Sequence, residues 1–136
     1  MNIKKILKMI EIDFDCQRKY LGTDIKLFIE NSINLIFEAL EFKENFYLSV
    51  LITSNNKIKE INFNFRKINK PTNVLSFRQN EIRMINNLES HLILGDLVLS
   101  LEKISNEAVD LKKDFLEHLL HIVTHGILHL LGYDHH

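Results

Sequence analysis

Near its C-terminus the chain carries His125, His129 and His135, with Gly132 between the last two, and this spacing restricts the fold more than any other feature. Residues four apart on a helix lie about 40° apart around it and roughly one turn along it, so the imidazoles of His125 and His129 can reach one ion from one face. A third ligand must come from beyond that helix. On a continuing helix His135 would point about 120° away from His129, so the helix has to stop. Gly132 is the residue that stops it, because glycine enters the left-handed conformation without a Cβ penalty and lets the chain fold back. Three neutral imidazoles leave one open position on a tetrahedral Zn²⁺, which is the arrangement of a catalytic centre more than of a closed structural one. The expectation is one Zn²⁺ per chain on His125, His129 and His135, at the C-terminal end of the last long helix.

The same spacing equals that of the metzincin zinc-protease signature HExxHxxGxxH, with one break. Those proteases carry a glutamate as general base after the first histidine, and here Gly126 stands in its place and can transfer no proton. The spacing argues for a metal; the glycine argues against ordinary peptide hydrolysis. A single helical histidine is more often a surface or satisfied core residue than a ligand. Six of the seven histidines, however, fall between His118 and His136. His118 and His121 share the stripe of His125 and His129 but lie one to two turns upstream, so they are read as supporting or surface groups rather than ligands. His136 is the last residue, where fraying is the default.

A length of 136 residues, 46% of them hydrophobic and 26% charged, fits one globular domain spanning 1–136. Cys16 is the only cysteine, so no intrachain disulfide can form, and a reducing cytoplasm is the natural setting. The N-terminus begins with positive charge, but Lys8, Glu11 and Asp13 interrupt the apolar run that a signal peptide needs. No apolar run approaches the roughly 20 residues that span a bilayer, so no membrane partner is expected. The net charge of −1 gives no reason by itself to expect nucleic acid. Its distribution says more: Lys57, Lys59, Arg66, Lys67, Lys70, Arg78 and Arg83 are opposed in their stretch only by Glu60 and Glu81. That excess suits a surface facing phosphates, although a solvated helix face has the same composition.

Alternation of Ile10, Ile12 and Phe14 with Glu11 and Asp13 reads as a first strand near residues 7–14. Ile25, Phe28, Ile29, Ile33, Ile36 and Leu40 keep a helical period, capped by Thr23 or Asp24. Phe46, Leu48, Val50 and Ile52 form a second strand, and Ser54 caps a short helix ending near Arg66. Pro71 closes that connection. Residues 74–77 read as a short strand, residues 78–90 as an exposed loop, and residues 92–99 as a strand buried on both sides. Within it, Gly95-Asp96 is either a bulge or the place of a carboxylate in a hydrogen-bond network near the site. A helix over about 101–109 and a longer one over about 112–131 complete the chain. There is no internal repeat, and the mixture points to an α+β domain with a small mixed four-stranded sheet packed on helices.

His125-Gly-Ile-Leu-His-Leu-Leu-Gly-Tyr-Asp-His135, Lys70-Pro-Thr-Asn-Val-Leu-Ser-Phe77 and Leu94-Gly-Asp-Leu-Val98 together resemble the YbeY family of bacterial rRNA maturation factors, described as metal-dependent endoribonucleases. The resemblance runs in order through residues 46–135, and the first 45 residues fit by elements only. It implies zinc on His125, His129 and His135 and a functionally important arginine at Arg66. It also implies cytoplasmic action on single-stranded RNA, with a part in forming the 3′ end of 16S rRNA on the small ribosomal subunit and in ribosome quality control. Family members usually continue past the third histidine into another helix, whereas this chain stops at His136.

The leading expectation is a hydrolase in which zinc-activated water attacks an RNA phosphodiester, with Arg66 and His125 as catalytic residues and no DNA substrate. The proton acceptor is unassigned, and Asp134 beside a ligand can orient an imidazole or take a proton. Two rivals are a non-catalytic, zinc-stabilised module associated with the ribosome and, less favoured, a metzincin-like metalloprotease.

Overall fold

The structure is a computed structural model that describes residues 8–15, 23–85 and 89–133. Among the described residues the chain runs β1 (Lys8–Asp15), α1 (Thr23–Ala39), β2 (Phe46–Thr53), α2 (Asn55–Arg66), β3 (Val74–Ile85), β4 (Glu89–Ser100), α3 (Leu101–Leu111) and α4 (Phe115–Leu130). The strands form one sheet in the order β1-β2-β4-β3, in which β1 and β4 run parallel to β2 and β3 is antiparallel to β4. This is the α+β class with the small mixed sheet that the sequence pattern implies.

Alternation along the strands sends one set of side chains to each face of the sheet. On the first face Ile12, Phe46, Leu48, Val50, Ile52, Leu97 and Leu99 meet Ile29 and Ile33 of α1, Leu101 and Ile104 of α3, and Leu119, Val123 and Ile127 of α4. Phe37 stacks on Phe46 with centroids 4.1 Å apart, and Phe42 meets both rings edge-on. On the second face α2 is the one helix among the described residues that lies across the sheet, where Ile58 packs on Leu75 and Val98.

The cap expected at Ser54 is in place, and two further polar caps begin α3 and α4. Ser54 accepts from the Lys57 amide to begin α2, Ser100 caps α3, and Asp114 accepts from the Leu116 and Glu117 amides to begin α4. The last long helix therefore starts at Phe115 rather than near Lys112, because Lys112 takes a left-handed conformation that ends α3. One expectation is wrong outright. Residues 78–85, 89 and 90 are not a loop: β3 continues to Ile85 and pairs back onto β4 as far as Ile85 opposite Glu89, while the rest of the expected loop, 86–88, lies outside the described residues. Residues 78–84 are exposed, so no buried face imposes an alternating pattern, and the ribbon is held chiefly by its backbone ladder.

Gly95 explains an irregularity in the middle of this sheet. It has φ +137°, and the register shifts there against both neighbours, between Tyr47 and Leu48 and between Arg78 and Glu81. A Cβ at Gly95 would collide with the Phe77 carbonyl oxygen, so a bulge at this point needs glycine. No helix among the described residues is long and apolar enough to cross a membrane.

Candidate active site

α4 is drawn close to the sheet at Gly126, where a Cβ would collide with Leu97 Cδ1 and crowd Val74 Cγ2. A glutamate at the position of the metzincin base has no room here. The approach brings the last turns of α4 beside the β3 edge, and two β3 side chains bond to its backbone. Ser76 Oγ donates to the Gly126 carbonyl at 3.2 Å, and Arg78 Nη2 donates to the His129 carbonyl at 2.8 Å. The His129 carbonyl also accepts from the backbone beyond it, so the Arg78 bond is a second donor on that oxygen and ties the turn that carries His129 to β3.

The helix stops as the glycine requires. Gly132, at φ +93°, donates to the His129 carbonyl at 3.1 Å, and Tyr133 donates to the Leu128 carbonyl at 2.9 Å. His135, Asp134 and His136 lie outside the described residues.

From the other side comes α2. Its last residue is Arg66, after which Lys67 turns left-handed at φ +61°. The following segment is tied back by buried Asn62, whose Nδ2 donates to the Lys70 carbonyl at 2.9 Å. A cleft of ≈ 390 Å³ results, lined by Arg66, Val74, Leu75, Ser76, His125, Gly126 and His129. Arg66, His125 and His129, singled out in the sequence for separate reasons, thus border one space.

Further along α4 the other two histidines separate by role. His118 is buried at 4% exposure, with Nε2 3.0 Å from Glu107 Oε1. Glu107 also accepts from Asn73 Nδ2 at 3.0 Å, and the Asn73 carbonyl accepts from the Ser100 amide. This chain of bonds ties the start of β3 to α3 and α4, so His118 anchors the wall of the cleft. His121 is exposed and lies 5.7 Å, ring to ring, from His125. Partial burial, followed by the charge of Lys113 and the neighbouring imidazoles, lowers its pKa. Sequence reasoning missed Asn62, Asn73, Ser76 and Glu107. The only available signal was the Lys70–Phe77 motif, which contains two of them.

Among the described residues no group of three His, Cys, Asp or Glu side chains converges closely enough to hold a metal ion. The donor chemistry nevertheless fits a borderline divalent cation, since two imidazoles one turn apart line the same cleft and no thiolate or carboxylate competes there. Asp96 does not belong to this cleft. It sits beside the bulge on the opposite face of the sheet, paired in register with Ser49 and Phe77.

A family model described as Endoribonuclease YbeY matches residues 11–136. A curated Endoribonuclease YbeY from Fusobacterium nucleatum is 37% identical over 116 residues, covering 85% of this chain and 70% of that protein. One from Ehrlichia canis is 39% identical over 129 residues, covering 93% of this chain and 80% of the relative. The solution structure of a Thermotoga maritima protein superposes with a TM-score of 0.61 at 26% identity, covering 94% of this chain and 75% of that one.

Proposed function

Because the chain belongs to the YbeY endoribonuclease family, we propose that it is a metal-dependent endoribonuclease specific for single strands, acting in the cytoplasm on the 3′ end of 16S rRNA and in quality control of the small ribosomal subunit. The observation that carries this reading is the shared cleft, which sets the guanidinium of Arg66 across from the His125 and His129 imidazoles.

Arg66 is exposed and lines the cleft, where its planar fork can donate to two phosphate oxygens and neutralise the charge that builds up during cleavage. His125 and His129, completed by His135, would hold the cation, zinc being the best fit to an imidazole set. When bound, such an ion supplies Lewis acidity toward a phosphoryl oxygen and a water that ionises near pH ~7 instead of ~15.7. Ser76 and Arg78 keep the imidazole-bearing turns against β3 by holding their carbonyls. Among the described residues no carboxylate lines the cleft, so Asp134, which precedes His135, is the candidate proton acceptor or imidazole-orienting group.

Purified protein supplied with zinc should cut a single-stranded fragment of rRNA and leave the same sequence in a duplex intact. Arg66→Ala should slow cutting by about 10²–10³-fold, the usual loss for one group that stabilises transition-state charge. His125→Ala should reduce cutting to background and lower the bound zinc well below one per chain by elemental analysis. Equal cleavage by both variants would assign the activity to a contaminating nuclease. Co-sedimentation with small subunits but no cleavage would favour the zinc-stabilised module instead.

A further inference from the structure

The second face of the sheet holds a separate cavity of ≈ 460 Å³ that the cleavage chemistry does not use. Its size lies within the range of about 300–1,000 Å³ typical of small-ligand sites. Phe65 and Phe77 form one wall, with ring centroids 5.2 Å apart and tilted by 57°. Leu51 is among its apolar residues, and Asp13, Ser49 and Asp96 bring oxygen acceptors to it. No hydrogen-bond donor among the described residues meets the Asp96 carboxylate. Phe65 is 71% exposed, an unusual setting for a phenylalanine at the end of a helix.

This cavity adjoins the cleft along two stretches of chain. Phe65 lines the cavity and the next residue, Arg66, lines the cleft. Along β3, Leu75 lines the cleft and Phe77 the cavity, a step of about 7 Å. The two spaces differ in charge. The cleft presents a guanidinium and two imidazoles, whereas the cavity presents carboxylates and aromatic faces. An anionic phosphate suits the first and is repelled by the second; an uncharged nucleobase suits the second.

We propose that the cavity bordered by Phe65, Phe77 and Asp96 is a subsite for one unpaired guanine of the RNA, next to the phosphate held at Arg66; this rests on the endoribonuclease reading above. Every base has a π-face that can stack on Phe65 and Phe77, so stacking alone provides affinity without choice. Choice comes from the carboxylate. Guanine presents two adjacent donors, N1–H and the exocyclic N2 amino group, which match the two oxygens of one carboxylate. Adenine and cytosine each set an acceptor beside their amino group, and uracil has a single N–H between two carbonyls, so each leaves one oxygen of Asp96 facing an acceptor or nothing.

The test is fluorescence anisotropy with labelled, cleavage-resistant 2′-O-methyl oligonucleotides, comparing a uridine decamer with the same decamer carrying one central guanosine. The 136-residue protein should bind the guanosine oligonucleotide about tenfold more tightly, the size of one good bidentate contact. Asp96→Asn should bind the two alike. Phe65→Ala, at an exposed position that leaves the core intact, should weaken both by about tenfold through lost stacking. Arg66→Ala should weaken both equally and keep the preference. If the unaltered protein binds both oligonucleotides equally, if the preference survives Asp96→Asn, or if Phe65→Ala leaves both affinities unchanged, the subsite is refuted while the nuclease reading stands. If RNA affinity is untouched by Phe65→Ala but association with ribosomal proteins is lost, the cavity takes a basic side chain and the proposal is likewise overturned. If neither RNA binds at all, the nuclease reading fails and the subsite with it.

Discussion

The two faces of the sheet are built on different terms. On the first, three helices bury a continuous layer in which Leu48, Ile52, Leu97, Leu99, Leu119 and Ile127 are all fully enclosed. On the second, a single helix covers three buried residues, Ile58, Leu75 and Val98, and leaves a cavity with carboxylates beside them. Close packing makes the first face intolerant of changed volume, while the second has space that a ligand can use. The proposed catalytic cleft lies where the two meet, at the free edge of β3, bordered by α4 from the first face and by the end of α2 from the second.

The contrast is open to direct attack. Leu97→Ala, at the centre of the continuous layer, should cost about 4–5 kcal/mol in chemical denaturation, near the upper end for such truncations, and Ile58→Ala about 2 kcal/mol, near the lower end. Equal losses would remove the distinction between the faces. Gly126→Ala should cost about 1–3 kcal/mol through overpacking against Leu97. It should also push α4 off the sheet and so weaken both bonds from β3, which would appear as changed chemical shifts at Ser76 and Arg78. A neutral effect there would show that the helix rests less tightly on the sheet than described.

The smallest expected effect belongs to the open face and depends on pH. Tyr47 donates a hydrogen bond to Glu11, and this bond, burial and the charges of Glu11, Asp96 and Asp13 raise its pKa from 10.0 to about 12. The folded state therefore holds the phenolic proton more tightly than the unfolded chain does. The stabilisation is complete below pH 10 and is lost as pH rises through about 12. Tyr47→Phe should flatten the fall in stability over that window, and the phenolate absorbance of the unaltered protein should develop late. A phenolate that titrates near pH 10.0 would sink this account.

Much of the architecture was legible from local pattern. Ser54 and Gly132 act through their own backbone neighbourhoods, so they mark helix boundaries wherever they occur, whereas the Asp114 cap that starts α4 at Phe115 was missed. The period of four between His125 and His129 likewise needs only a helix to put both rings on one face. The β3–β4 ribbon was not legible, because residues 78–84 bury nothing and their strand conformation comes from a partner elsewhere in the chain. At Gly95-Asp96 two readings stayed open, and the outcome was a bulge with the carboxylate on the face away from the histidines. Which face Asp96 meets depends on register, and a shift of one residue reverses it.

Sequence alone thus determined the helix that carries His125 and His129 and its stop at Gly132, since each depends on residues within a few positions of one another; Arg66, just before the Lys70–Phe77 motif, was marked only by the family resemblance. Only the tertiary structure decided that Arg66 and the imidazoles share a cleft, that Gly126 is where α4 touches the sheet, and that His118 is buried against Glu107. Those are meetings of residues 11 to about 60 positions apart, set by how helices stack on a sheet. Chain neighbours do not specify that packing, because its free energy is gained from surfaces that come together only when the whole fold closes.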